Sequence, residues 1–360
     1  MNIKTMLTLF NIGNGNNIFQ SVNDKAVLCC YYITTYFCIY FVKMKVTDHI
    51  KEAKDTVVSF EILPPLKGKT IESIYNHLDP LMEFDPAFIN VTYHRSEQVF
   101  KKKADGTFEK VEVRKRPGTV GICAAIMNHY KIDAVPHLIC GGFNLQETEN
   151  ALIDLAFLGI DNVLVLRGDA AKNETLFEPE KNGHAYALDL LKQTVNLNNG
   201  IYLEEDIRDG YKTKFCIGVA GYPEKHFEAP NMESDLRYLK LKVDAGADYV
   251  TTQMFFDNKK YFEFVKKCRE AGIEIPIIPG LKPITSKKQL SVLPRTFHVD
   301  IPTELSNEIL KCKTDADVEI VGTEWLLAQS NELKKAGVPV LHYYTLGKPH
   351  VIANVVKELV

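Results

Sequence analysis

From residue 55 onward, short β-rich apolar runs alternate with amphipathic stretches of helical period. The runs Thr56–Leu63, Ala87–Tyr93, Ala134–Cys140, Asn162–Leu166, Lys214–Ala220, Asp248–Met254, Glu274–Pro279 and Val340–Thr345 read as eight strands. They are blocky (VLVL, IPIIPG) rather than alternating, which is the pattern of parallel strands buried on both faces. Leu145–Leu158, preceded by Asn144 as a candidate N-cap and stopped by Gly159, reads as a helix, as does Ser234–Ala245 before Gly246. The phrases FLGIDNVLV, DAGADYVTT and EAGIEIPII share one order: helix end, glycine, strand. Eight such units over about 300 residues predict an α/β chain folded as a single-domain (β/α)8 TIM barrel rather than an open doubly wound sheet. No G-x-G-x-x-G follows an early strand, which weakens a Rossmann reading.

Three stretches depart from the alternation. Ser96–Thr119 is charged and carries Asp105-Gly106 as a hairpin turn, Asn196–Thr213 is a polar insertion, and two helices are expected between Ile301 and Ala336. The first 43 residues differ in character, with Asp24 as their single acidic residue and an uninterrupted apolar run from Ala26 to Val42. At 17 residues that run is short for a spanning helix, and no small-residue cleavage site follows it. We read residues 1–43 as a non-homologous N-terminal extension and 44–360 as the folded unit, with Met44 as a natural start. A membrane or targeting segment and a structural arm are the weighed alternatives.

Composition then narrows the class. The chain of 360 residues is 46% hydrophobic and 25% charged, as ordinary globular proteins are. Net charge is −3, and −5 without the extension's three lysines and one aspartate, so a nucleic-acid surface has little support. The eight cysteines form no C-x-x-C pair, consistent with reduced thiols in a cytoplasmic protein. No metal-ligand motif and no G-x-S-x-G elbow is present.

The chemistry of a barrel gathers where its strands end. The first strand carries Glu61, a carboxylate within an apolar run, which must be paired, protonated or functional. Thr92 ends the second strand and His137 lies within the third, where a hydrogen-bonded core histidine is the ordinary alternative. Leu166-Arg167-Gly168-Asp169 ends the fourth, with a structural Arg–Asp pair as its plain alternative. The fifth strand leads into a turn that contains His226. Gln253 at the end of the sixth can offer both donor and acceptor to a heterocycle edge.

The ordered segments SFEILPP, NVTYHRSE, VPHLIC, GIDNVLVLRGD, VAGYPEKH, KVDAGADYVTTQMFFD and IPIIPGLKPI resemble the methylenetetrahydrofolate reductase family, from about Val57 to the C-terminus. The resemblance implies a bacterial-type catalytic barrel that binds FAD. It further implies reduction of 5,10-methylenetetrahydrofolate to 5-methyltetrahydrofolate with NADH or NADPH, in one-carbon metabolism and methionine biosynthesis. By motif, Glu61 matches the family's general acid, Asp169 the carboxylate beside flavin and pterin, and Gln253 a substrate contact. Thr92, His137, Leu166, Arg167, Gly168, Asp169, Tyr186, Ala187, His226, Asp235 and Lys242 match its FAD contacts. Two positions depart: Lys287 stands where well-known members carry a stacking aromatic, and Leu63 replaces a common Phe. The resemblance also implies a homo-oligomer, no stable membrane association, no metal, and no inhibition by S-adenosylmethionine, since the chain ends after the eighth unit. A flavin-free methyl-transferring pterin barrel and a silent barrel held at a membrane by residues 26–42 are the rival readings.

Overall fold

The computed structural model describes residues 43–170, 174 and 176–359. Of the extension expected over residues 1–43, residues 1–42 with the apolar run lie outside the described residues, and none of the described helices is long and apolar enough to cross a membrane. Helix α1 (Val46–Glu52) leads into β1 (Val57–Ile62), α2 (Glu72–Met82), β2 (Phe88–Val91), a hairpin of β3 (Glu97–Lys102) and β4 (Phe108–Val113), then α3 (Thr119–Tyr130). The alternation continues with β5 (Asp133–Ile139), α4 (Leu145–Phe157), β6 (Asn162–Leu166), α5 (Ala187–Asn198), β7 (Cys216–Gly221), α6 (Met232–Asp244), β8 (Tyr249–Thr252) and α7 (Asn258–Glu270). It ends with β9 (Ile277–Ile278), β10 (Gly280–Leu281), α8 (Gln289–Phe297), α9 (Thr303–Lys311), α10 (Asp315–Lys335), β11 (Val340–Tyr344) and α11 (Pro349–Lys357).

Nine of these strands form one parallel sheet in the order β10-β11-β1-β2-β5-β6-β7-β8-β9, and β3 with β4 forms a separate antiparallel pair. Strands β9 and β10 are neighbours in sequence, separated by Pro279, which has no N–H to give a ladder. They are two halves of one barrel strand: the first half pairs with β8, the second with β11. Nine segments are therefore the eight expected strands, and the ring closes through that seventh strand. The hairpin forms where Asp105-Gly106 placed it, with Asp105 Oδ1 accepting from Thr107 N at 2.9 Å.

Strand residues two apart face the same side, so the lumen can be read in layers. At the floor, Val57, Phe88, Val135, Leu164, Cys216, Tyr249, Ile278 and Val340 come one from each barrel strand and converge on Val46 of α1. Helix α1 is tied beneath them: Val46 N donates to Asn162 Oδ1 at 2.9 Å, Met44 N to Asp133 Oδ2 at 3.0 Å, and His49 Nε2 lies 2.8 Å from the same Asp133 oxygen. Two residues further up, Ser59, Asn90, His137 and His342 form a buried polar layer. The next layer, containing Glu61, Thr92, Gly168, Gln253, Lys282 and Tyr344, lies at the C-terminal mouth. A Cβ at Gly218 or Gly280 would strike the rings of Tyr249 or Tyr344, so these two glycines make room for the lumen's large aromatics.

Candidate active site

Glu61 rises from β1 with only 7% of its surface exposed. Two imidazoles meet its carboxyl group: His137 Nε2 of β5 at 3.4 Å and His342 Nε2 of β11 at 3.5 Å, both to Oε2. Each ring has a second polar neighbour, His342 on its far nitrogen and His137 on the nitrogen that faces Glu61. Ser59 Oγ lies 2.8 Å from His342 Nδ1, and Asn90 Nδ2 lies 3.3 Å from His137 Nε2. Burial lowers the pKa of His137, the Glu61 charge opposing that pull, so the ring tends to neutrality. Above them Tyr344 donates its hydroxyl to Thr252 O at 2.6 Å, and burial holds that phenol well above its usual range. His94 faces the same region, its pKa lowered by burial and by Arg116.

A second cluster lies across the mouth, after β6 and β7. Arg167 does not pair with Asp169. It makes a bidentate bond to Glu228, Nη1 to Oε2 at 2.6 Å and Nη2 to Oε1 at 2.8 Å, and its guanidinium lies 5.3 Å from the Phe177 ring centre. The pairing holds Glu228 below the ordinary carboxylate range. Gly168 has φ +84°, and a Cβ there would press on Ile139, so the backbone at this strand end is bare. Asp169 is exposed, and its charge acts on His94 and on the half-buried Tyr222.

The turn after β7 is tightly built. His226 N donates to Asp235 Oδ2 at 2.9 Å, His226 Nδ1 accepts from Glu228 N at 3.2 Å, and its ring packs on Tyr222 and Phe227. Burial, then the charge of Arg167, lowers the pKa of His226. Lys242 donates to Ala220 O at 3.0 Å, and burial brings its pKa to about 8. Gln253 N donates to Gly221 O, while its side-chain oxygen accepts from Met254 N at 2.9 Å and leaves the amide N–H groups to the mouth.

The structure thus brings Glu61 and His137 into contact and gathers Arg167, Gly168, Asp169, His226, Asp235 and Lys242 along one side. Thr92 follows β2 directly, donating to Ile62 O at 3.3 Å, and Leu166 ends β6. Tyr186 and Ala187 open α5, with Tyr186 64% exposed. Lys287 donates to Leu310 O and so faces α9. A cavity of about 590 Å³ lies beside the mouth rather than over Glu61, lined among others by Tyr93, Arg114, Gly118 and Phe143.

Sequence reasoning missed Ser59, Asn90 and His342, which complete the surroundings of Glu61. It also missed Lys282, buried at the mouth, whose Nζ donates to Pro283 O at 3.1 Å. The available signal was spacing: Ser59 and His342 each stand two residues above a floor residue of their own strand.

Comparisons with known proteins give the chain's family. A family model described as methylenetetrahydrofolate reductase matches residues 45–360. "Methylenetetrahydrofolate reductase (NADH) 1" of Arabidopsis thaliana is 33% identical over 316 residues, covering 84% of this chain and 48% of the relative. "Methylenetetrahydrofolate reductase 1" of Schizosaccharomyces pombe is 30% identical, covering 88% and 48% respectively. The chain spans about half the length of these relatives. It covers 86% of the "5,10-methylenetetrahydrofolate reductase" of Escherichia coli at 31% identity over 292 residues, which take up 81% of this chain. Among solved structures, an uncharacterised protein from Clostridium thermocellum that binds two copies of 5-methyl-5,6,7,8-tetrahydrofolic acid superimposes with a TM-score of 0.54 over 87% of this chain and 98% of its own; at 16% identity that likeness speaks for the fold alone. With the family model spanning the whole described barrel, the chain belongs to the methylenetetrahydrofolate reductase family.

Proposed function

We propose that residues 44–360 reduce 5,10-methylenetetrahydrofolate to 5-methyltetrahydrofolate, with electrons drawn from NADH or NADPH through bound FAD. The observation that carries this reading is Glu61, a carboxyl group buried at the bottom of the mouth between two imidazoles. A carboxyl group so placed can hand a proton to a bound substrate as a general acid. Here it would protonate a ring nitrogen of the substrate's five-membered ring, promote its opening and leave the one-carbon unit as an electrophilic iminium.

The donor set fits a flavin dinucleotide. Arg167 and His226 offer donors to a pyrophosphate, Gly168 at φ +84° keeps the backbone at the end of β6 free of a side chain, and Asp169 places a carboxylate at the mouth. Thr92, Leu166, Tyr186, Ala187, Asp235 and Lys242 complete that set, with Asp235 and Lys242 steadying the turn that carries His226. When bound, the flavin supplies the hydride that the one-carbon unit takes up. Gln253 turns its amide N–H groups to the edge of the pterin. The relatives' names include both NADH and NADPH forms, so the donor is left to measurement. The thiols of Cys123, Cys140, Cys216, Cys268 and Cys312 are all free, which supports a cytoplasmic setting, and we take the working form to be a homo-oligomer.

Stopped-flow absorbance separates the two halves of the reaction. Glu61→Gln keeps the flavin and its reduction by the nicotinamide donor, while reoxidation by methylenetetrahydrofolate falls by about 100-fold or more. Equal loss of both halves would assign Glu61 a structural role, and a colourless protein that cannot take up FAD would refute the flavin.

A further inference from the structure

Lys282 is a buried cation without a counter-ion. It is 6% exposed, and its ammonium, which has three protons to give, makes one hydrogen bond, to Pro283 O at 3.1 Å. Among the described residues no carboxylate lies within ion-pair distance of it. Lys260 meets Glu224, Lys348 meets Glu319, and Lys242 has the charge of Asp235 near it. The charge that acts on Lys282 is instead a second cation, Lys348. Lysine is seldom buried without a partner, because the lost hydration of the charge is not recovered.

The barrel shows from where a partner would come. In the seventh strand Ile278 belongs to the floor, and Gly280 faces the lumen, where an added Cβ would strike Thr252 O and the Tyr344 ring. Lys282 is two residues further up and so on the same side. Gly280 pairs with His342 and Leu281 with Tyr343, which sets Lys282 level with Tyr344 on the wall of the mouth. We propose that Lys282 is a specificity-determining residue, which anchors a carboxylate or phosphate oxygen of the molecule bound in the mouth and takes that oxyanion as its counter-ion. Both molecules of the reaction carry such groups, the folate in its glutamyl carboxylates and the nicotinamide donor in its phosphates. The anchor rests on the reading of this mouth as a folate reductase site, and it adds a residue for charge recognition to that site.

An anion that needs the ammonium has a pH signature. The free amine changes charge near 8, so such a ligand binds more weakly as pH rises above that value. Glu319 is held below the ordinary carboxylate range and Tyr344 above the ordinary phenol range, so neither changes charge between pH 7 and 9. Lys348 and His350 beside Glu319, Lys287 on the α8 side, and Glu61 and His342 below are left in place when Lys282 alone is replaced.

Stopped flow on the full, flavin-loaded chain tests the anchor, with Lys282→Met, which keeps the length of the side chain and removes its charge. The half-saturating concentration is measured for the nicotinamide donor in flavin reduction and for methylenetetrahydrofolate in reoxidation. We expect Lys282→Met to raise one of them by about 10-fold or more at pH 7 with the limiting rate within about twofold. In the unsubstituted protein the same constant rises between pH 8 and 9, and in the variant it does not. A loss seen with the folate, but not with a folate whose glutamyl carboxylates are converted to amides, identifies the carboxylate; a loss confined to the donor identifies the phosphate. Constants equal in the two proteins for both ligands, or a flat profile from pH 7 to 9 in the unsubstituted protein, overturn the anchor and leave the reductase reading standing. A flavin-loaded chain that takes up neither ligand refutes that reading, and the anchor with it.

Discussion

Lys282 shows what a single buried charge does to this barrel. It is 6% exposed, and burial, then the nearby charge of Lys348, brings its pKa from 10.5 to about 8. In the unfolded chain the ammonium keeps its proton up to about pH 10.5, whereas the folded chain gives it up from about 8. Between those values the unfolded state binds more protons, so stability rises with pH across that window and the full penalty is present below it. Lys282→Met removes the penalty. We expect about 1–3 kcal/mol of added stability at pH 7 and a flatter rise between pH 8 and 10.5, read by urea unfolding at each pH. At this scale Glu61 and His137 were legible in the sequence because a polar group inside an apolar run requires an account. His342 carried the same signal, but its partner Ser59 lies 283 positions away in sequence, and no local pattern joins them.

Elements were legible where local chemistry decides them. Asn144 caps α4 as its position suggested, accepting from Glu147 N at 2.9 Å while Glu147 Oε2 accepts from Asn144 N at 2.8 Å. Asn144→Ala should cost about 1 kcal/mol in denaturant unfolding with an unchanged slope. The seventh strand was expected over Glu274–Pro279; it pairs only at Ile277–Ile278 within that run and resumes beyond it at Gly280–Leu281, because Pro279 interrupts its ladder. Helix α8 was not foreseen, since Pro294 within it argues against a helix in sequence. Gly322 is a further case in which tertiary contact decides. It lies within α10, where alanine is the better helix former by about 1 kcal/mol, yet a Cβ there would strike the backbone of Ile284. We expect Gly322→Ala to destabilise the protein despite its helix propensity, seen as a lower Tm; an unchanged or raised Tm would show that α10 can shift without cost.

For the whole molecule, the eight-unit alternation was enough to give the barrel, because parallel strands buried on both faces and glycine-ended helices leave few other ways to cover every apolar surface. How the floor is closed was not legible. Helix α1 has only 7 residues, and its role depends on one side chain from each of eight strands meeting Val46. Val46→Asp would bury a carboxylate in this largely apolar floor. We expect a loss of about 3 kcal/mol or more in global stability by chemical unfolding, with helix and strand content kept in whatever protein remains folded.

Among the described residues α1 closes the base of the lumen, which leaves the mouth as its doorway. With α1 beneath the lumen and Glu61 near the bottom of the mouth, a molecule that reaches the carboxyl group must enter and leave by the same opening. Two visitors that both need that depth cannot pass one another. They must take turns, so the order in which they come and go is imposed by the shape of the container before any chemistry begins.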